Sequence, residues 1–386
     1  MKYTKYHMRY VFIPISIAFF ISCAERKEKI YTTQTELKYS FDTVMVDSGN
    51  EYLHLNDRLL ISDLSSDGKY LYNWNRNAFS LEKIDLDELQ LVDNIKYEKE
   101  GPDGVGSYVR HVACSPEGKT IFWSYEKKGI WDQQGKLFRN LSINSILKDA
   151  DFPEDFELFQ ITQFPNEQDK FLTLYDEWDT NTINLLIFDF SDASFKKVDL
   201  PEINKSTEFY SEILLDGSKV GRLNKDVEYT FDQNKAIIIS NAYNYAYIYD
   251  MITDSLSFKA WDGPLVGDKK KFQYPKEVDY EKLWETARLS EEDMNFGVFN
   301  WDEKNKRYYR FAVKTIFGEE KYDYGAYKPI DAEVFLSIYD EDLNLIAESN
   351  IPEIQNKPSK HFVKDGKIWL HENIDDELAF IRMTIN

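Results

Sequence analysis

An all-β fold, a propeller of six four-stranded blades, is the class this sequence predicts, and three observations predict it. The chain is rich in strand-favouring aromatics, with 26 Tyr, 26 Phe and 8 Trp among 386 residues. No segment sustains the 3.6-residue apolar spacing of a helical domain. A turn followed by a lysine and an apolar run recurs six times, at intervals suited to propeller blades.

Residues 1–22 have the three parts of a secretory signal. Lys2, Lys5 and Arg9 form a positive n-region, and residues 11–21 (VFIPISIAFFI) form an apolar run. That run is too short to span a bilayer, which takes roughly 20 residues. Phe20-Ile21-Ser22-Cys23 resembles the lipobox of bacterial lipoproteins. The resemblance implies cleavage before Cys23 and lipidation of its sulfur, and several acyl chains anchor a protein stably where one is marginal. Residues 23–35 then form a polar tether, which reaches at most about 40 Å when extended. Ala24 is not the Asp that retains some lipoproteins at the inner membrane, so the outer membrane is the expected location. Losing Lys2, Lys5 and Arg9 takes the formal net charge from −21 to −24. So acidic a chain argues against nucleic acid or anionic lipid as a partner. Cys114 is then the last thiol, which excludes a disulfide framework and a cysteine metal site. It lies in an apolar run and reads as inert.

From residue 36 to 386 one propeller is expected. The recurring turns are Asp67-Gly68-Lys69, Glu117-Gly118-Lys119, Gln168-Asp169-Lys170, Gln233-Asn234-Lys235, Lys304-Asn305-Lys306 and Asp365-Gly366-Lys367. Their lysines step by 50, 51, 65, 71 and 61 residues. Gly, Asn and Asp supply the positive φ of a tight hairpin, and the apolar runs behind them read as strands. A second element keeps step: Ile84-Asp85, Trp131-Asp132, Phe188-Asp189, Tyr249-Asp250 and Tyr339-Asp340. One more strand follows each, near 89–97, 136–143, 194–200, 255–261 and 343–351. Each unit is therefore four strands: A before the lysine turn, B after it, C ending at the Asp, and D. The sixth unit runs out at its C strand, residues 377–385, while residues 36–46 form an unclaimed strand. Pairing the two closes the ring and removes an exposed edge.

The A–B and C–D turns share one face of such a ring and are short. The other face carries long connectors, at 98–108, 144–158, 201–225, 262–294 and a B–C loop at about 314–332, and binding residues concentrate on long loops. Residues 279–293 read as a short helix, with Trp284 either packing as a lid or forming an aromatic platform. The first connector holds Glu100-Gly101-Pro102-Asp103-Gly104-Val105-Gly106, which lacks the GK[ST] of a phosphate loop. Here the chain resembles a family of uncharacterised Bacteroidota lipoproteins with a propeller, some carrying Gly-Pro-Gly after an early blade. The resemblance implies an envelope location and a domain of unknown function, with no catalytic residues to carry over.

No HExxH, GxSxG or EF-hand spacing is present, and no cofactor or metal is expected. His361 and His371 flank the last lysine turn and read as a structural cross-strand pair. Arg110 and His111 begin the second A strand, nearest the axis, and Tyr308, Tyr309 and Arg310 lie on the fifth B strand. An axial arginine either holds a ligand carboxylate or pairs within the core. The candidate ligand-binding residues are Arg110, His111, Trp178, Trp284, Tyr308 and Arg310, beside the lipidation site Cys23. The expected function is a membrane-anchored binding or scaffold module for an envelope protein or glycan. The alternative is an envelope glycan hydrolase or lyase that uses carboxylates in the channel.

Overall fold

Strands that bury both faces form the middle of each repeat in the computed structural model. It describes residues 36–386 apart from 149–151, 153–155, 166, 179, 225 and 233. Cys23, the signal and the tether lie outside the described residues. Strand β1 is Tyr39–Met45. The first sheet comprises β2–β5 (Ser62–Leu64, Tyr70–Asn75, Ser80–Asp85, Gln90–Lys96) and the second β6–β9 (Val109–Cys114, Thr120–Ser124, Lys128–Trp131, Leu137–Asn140). The third comprises β10–β13 (Phe156–Gln163, Lys170–Glu177, Thr182–Asp189, Ser194–Asp199). After β14 (Ser211–Leu215) and β15 (Ser218–Leu223), the fourth comprises β16–β19 (Val227–Asp232, Lys235–Ser240, Tyr245–Asp250, Ser255–Ala260). After β20 (Glu277–Asp279), the fifth comprises β21–β24 (Asn295–Asp302, Arg307–Lys321, Tyr327–Asp340, Leu345–Asn350). The sixth holds β25–β27 (His361–Lys364, Lys367–Ile374, Glu377–Ile385), and β1 completes it. These six sheets are four-stranded and antiparallel, and the chain is all-β in class.

The two halves of the repeat meet at one turn face. In the first sheet Lys69 Nζ lies 3.4 Å from Asp85, and Leu86 N–H donates to the Lys69 carbonyl at 2.9 Å. The Asp that ends each C strand caps its own turn. Asp85 accepts the amides of Asp87 and Glu88, Asp132 those of Gln134 and Lys136, and Asp250 those of Ile252 and Thr253. Asp340 does the same for Asp342 and Asn344. Short acceptors of this kind satisfy turn amides that no ladder reaches.

Alternate residues of one strand pack against different neighbours, because successive side chains point to opposite faces. Tyr72 and Trp74 join Phe122 and Trp131 of the second sheet, whereas Leu71 and Ile84 join Trp369 and Phe380 of the sixth. Second packs on third through Ile121 and Phe171, and third on fourth through Leu185 and Ile238. Fourth packs on fifth through Ile248 and Tyr339, and fifth on sixth through Leu336 and Met383. Strand β1 pairs with β27 over seven residues, from Tyr39 opposite Ile385 to Met45 opposite Ala379.

Two connectors carry more structure than their sequence shows. The hairpin β14–β15 pairs in parallel with β20 to form a three-stranded sheet, and helix α1 (Leu283–Glu292) follows where a short helix is expected at 279–293. The stretch near 314–332, expected as a loop, instead continues β22 and β23 as a long hairpin, with Thr315 opposite Ala332 and Lys321 opposite Tyr327. Gly318, Pro329 and the run of charges hide the alternation there. Register irregularities at Ile316/Phe317 and Phe317/Lys321 accommodate the breaks.

Candidate functional site

The site begins with the glycine-bearing connector between the first two sheets. Asp103 ties it down, accepting the amide of Leu137 at 3.1 Å and the ammonium of Lys136 at 3.0 Å. The Trp131 indole N–H donates to the Asp103 carbonyl at 2.7 Å. At Gly104 a Cβ would stand 2.6 Å from the Glu100 carbonyl carbon, so only glycine permits the fold-back. This connector, the turn at Tyr125–Lys127 and residues 140–144 enclose a cavity of about 720 Å³. Its walls offer Ser107, Asn140, Ser142 and Asn144 with three lysines, Lys99, Lys127 and Lys128. A second cavity, of about 480 Å³, lies over residues 52–56 and the turns after β3 and β26. Both open among the D–A and B–C connectors.

Tyr125, at the first cavity, belongs to an aromatic array. It stacks on Tyr108 with centroids 5.8 Å apart and planes 26° from parallel, and the two rings are 65% and 50% exposed. The Arg110 guanidinium lies 5.1 Å from the Tyr125 ring, and that of Arg76 lies 5.8 Å from Tyr108. Arg76 is held in turn by Asp57 at 2.7 Å. Lys128 Nζ donates to the Tyr125 carbonyl at 3.2 Å and lies 4.9 Å from the Trp123 ring. Burial, and then the like charge of Arg110, lowers the Lys128 ammonium below its usual range. The array draws on three separate segments, and only Arg110 stood out in the sequence.

The other sequence-predicted residues fall elsewhere. His111 lies on β6 within reach of the Lys360 charge, which also faces Asp63 and His361. Burial, then Lys360, holds its imidazole down at about 3, and burial likewise holds His361 at about 4. Both residues retain some accessible surface. Lys360 donates to the Ser62 carbonyl at 2.9 Å, and Asp63 accepts the Cys114 amide at 2.7 Å. Burial beside Asp63 pushes the Cys114 thiol well up, which removes it as a nucleophile. Both His361 and His371 lie on neighbouring strands and meet Ser359, at its carbonyl (3.2 Å) and hydroxyl (3.1 Å) respectively.

Arg310 and Tyr308 are each 1% exposed and serve the core. Arg310 donates to the Gly297 carbonyl at 2.7 Å and to Asn244 Oδ1 at 2.9 Å, with Phe299 4.7 Å from its guanidinium. The Tyr308 hydroxyl bonds Asp232. Neither presents a group to a ligand, because a B strand between two sheets is covered on both faces. Trp284 sits on α1 beneath the long hairpin, edge-on to Tyr324 at 5.5 Å and closed over by Gly325. Trp178 lies between Lys219 and Arg222, whose cations stand 4.9 and 4.3 Å from its ring.

A third cluster stands at the start of β16. Asp226 and Glu228 flank Val227 and keep exposed surface; partial desolvation by the surrounding protein raises both carboxyls, Glu228 further through Asp226. Lys357 faces them and binds Glu291 at 2.8 Å. Among the described residues no group of His, Cys, Asp and Glu could hold a metal ion.

A family model described as a domain of unknown function (DUF4221) matches residues 34–350. A solved member of that family from Bacteroides vulgatus superposes with a TM-score of 0.65 at 13% identity, covering 92% of this chain and 99% of that one. A Bacteroides fragilis protein described as exported gives 0.51 at 9% identity, covering 92% and 99%. At such identities the likeness is one of fold. No curated protein matches the chain.

Proposed function

This chain belongs to the DUF4221 family, a domain of unknown function, and we propose that it is a lipid-anchored envelope module that binds a glycan or protein on its loop-rich face. The observation that carries the reading is the exposed Arg76–Tyr108–Tyr125–Arg110 array at the rim of a formed cavity. Tyrosines held by stacking and by cations offer contact area at a small cost in conformational entropy.

The reading takes the six sheets as the blades of one propeller, closed by β1. It is supported by the cyclic order of the apolar clusters, in which the sixth sheet packs on the first. The innermost strands agree. Strand β2 adjoins β6, β6 adjoins β10 and β21 adjoins both β16 and β25. Tyr229 of β16 reaches Gln160 of β10 at 2.7 Å, and Lys360 beside β25 reaches Ser62 of β2.

Anchoring through Cys23 at the outer membrane is supported by the charged, apolar and lipobox segments in sequence. Among the described residues no helix is long and apolar enough to cross a membrane. Cys23→Ala should abolish lipid labelling and move the protein to the aqueous phase; a variant still held at the membrane overturns the anchor.

A second reading, an envelope glycan hydrolase or lyase, has the Asp226–Glu228 pair in its favour, since two neighbouring carboxyls, both raised, can divide acid and base roles. The two readings separate in one experiment. The chain from residue 24 onward is titrated by calorimetry with a panel of neutral and acidic oligosaccharides and short peptides, and the mixtures are then chromatographed. Saturable binding that Tyr125→Ala weakens at least tenfold, with every probe recovered intact, is expected. Probe cleavage that Glu228→Gln abolishes would establish the enzyme instead.

A further inference from the structure

We infer that the cavity beside Tyr125 takes an acidic oligosaccharide, a chain of pyranoses bearing carboxylates; the inference rests on the binding-module reading above. The shape of the ligand follows from the walls. Ser107, Asn140, Ser142 and Asn144 line a concave space of about 720 Å³ together with three glycines of the connector. Hydroxyls and amides both donate and accept, as sugar hydroxyls do. A protein hot spot seats a large apolar anchor in a desolvated pocket, whereas the aliphatic wall residues here, Leu141 and Ile143, are 2% exposed. The tyrosines stand at the rim, where a sugar ring can lie along their exposed edges.

The charge of the ligand follows from the cations. This is a chain with 68 acidic and 47 basic residues, yet Lys99, Lys127 and Lys128 gather at one cavity. Among the described residues no carboxylate stands within 4.0 Å of any of the three ammonium groups. Lys127 Nζ donates to the Pro102 carbonyl at 2.6 Å and Lys128 Nζ to that of Tyr125. An ammonium has three donors, so one carbonyl leaves each with capacity. The carboxylates on the walls are Glu100 and Glu126, and Glu126 accepts the Ser107 hydroxyl. Burial first, then Arg110, lowers the Lys128 ammonium, and Glu126 on the same wall acts against them.

The test titrates the chain from residue 24 onward with tetragalacturonate, with its methyl ester, which masks the charges on the same backbone, and with pentaglutamate. Tetragalacturonate should bind at least tenfold more tightly than the other two. Lys127→Gln and Lys128→Gln should each weaken it three- to tenfold and narrow its lead over the methyl ester, with thermal midpoints like the parent's. Equal binding of acid and ester, indifferent to both substitutions, overturns the acidic assignment while the binding module stands. Pentaglutamate binding as tightly as tetragalacturonate overturns the saccharide. Absence of tetragalacturonate binding overturns the assignment alone if other probes bind through Tyr125. If Tyr125→Ala changes the binding of no probe, the reading beneath it falls as well.

Discussion

Arg310 shows how one side chain can hold two sheets together. Its guanidinium joins the Gly297 carbonyl of the fifth sheet to Asn244, which precedes β18 in the fourth. Arg310→Met keeps the volume and leaves both acceptors without a donor, a loss of about 2–4 kcal/mol, to be read from the urea midpoint. The buried histidines make a second prediction at this scale. Folding holds His111 at about 3 and His361 and His371 at about 4, against an ordinary value of 6.5. Between pH 6.5 and 4 the unfolded chain binds protons that the folded chain refuses. Their contribution is therefore complete above pH 6.5 and falls as the pH drops, by about 1.4 kcal/mol per unit for each histidine. Asp63, Glu82, Asp226 and Glu228, raised by burial, act in the opposite sense just above the ordinary carboxyl range. Urea unfolding at pH 7 and pH 5 isolates the histidine part, because His361→Asn should flatten the difference by about 1–2 kcal/mol.

Turns and edges decide matters at the scale of elements. The Asp that ends a C strand serves two turn amides, so Asp250→Ala should cost about 1 kcal/mol. Asp85→Ala should cost the same. The pair should add, since the two turns lie in separate sheets and share no partner; chemical denaturation of the single and double variants checks both. The outer strands β13 and β19 are mostly exposed, with half-buried positions between, and carry Lys196, Lys197 and Lys259. Charges on an outer edge discourage pairing with another chain.

For the whole molecule the decisive strand is β1. Its ladder to β27 covers an edge that would otherwise be open, and Asp42 binds Arg382 through both oxygens at 2.6 and 3.1 Å. That ion pair is partly exposed, so Asp42→Ala should cost only about 0.5 kcal/mol. Removing residues 36–46 is a different matter. It bares the β27 edge and uncovers Phe41's neighbours in the cluster around Met383. The truncated chain should show a lower urea midpoint and concentration-dependent light scattering, while the parent stays monodisperse. Equal midpoints would show that the strand adds nothing.

The sequence by itself determined the repeat. The lysine turns, the C-strand aspartates and the unclaimed strands at either end were legible because turn chemistry and alternation are local properties, written in neighbouring residues. Of the proposed site, only Arg110 and the glycine-bearing connector were singled out in the sequence. Tyr108 stood next to a predicted strand and Tyr125 in a short turn, with nothing in either segment to say that they would stack. Arg310 and Tyr308 looked like axial ligands because a charge in an apolar strand attracts a functional reading; their neighbours in the fourth sheet show them as core. The long hairpin of β22 and β23 was hidden by Gly318 and Pro329, whose local signal is that of a loop. Tertiary structure decided these points because stacking, ion pairing and burial depend on segments far apart in the chain. Local propensity carries no record of which segments will meet.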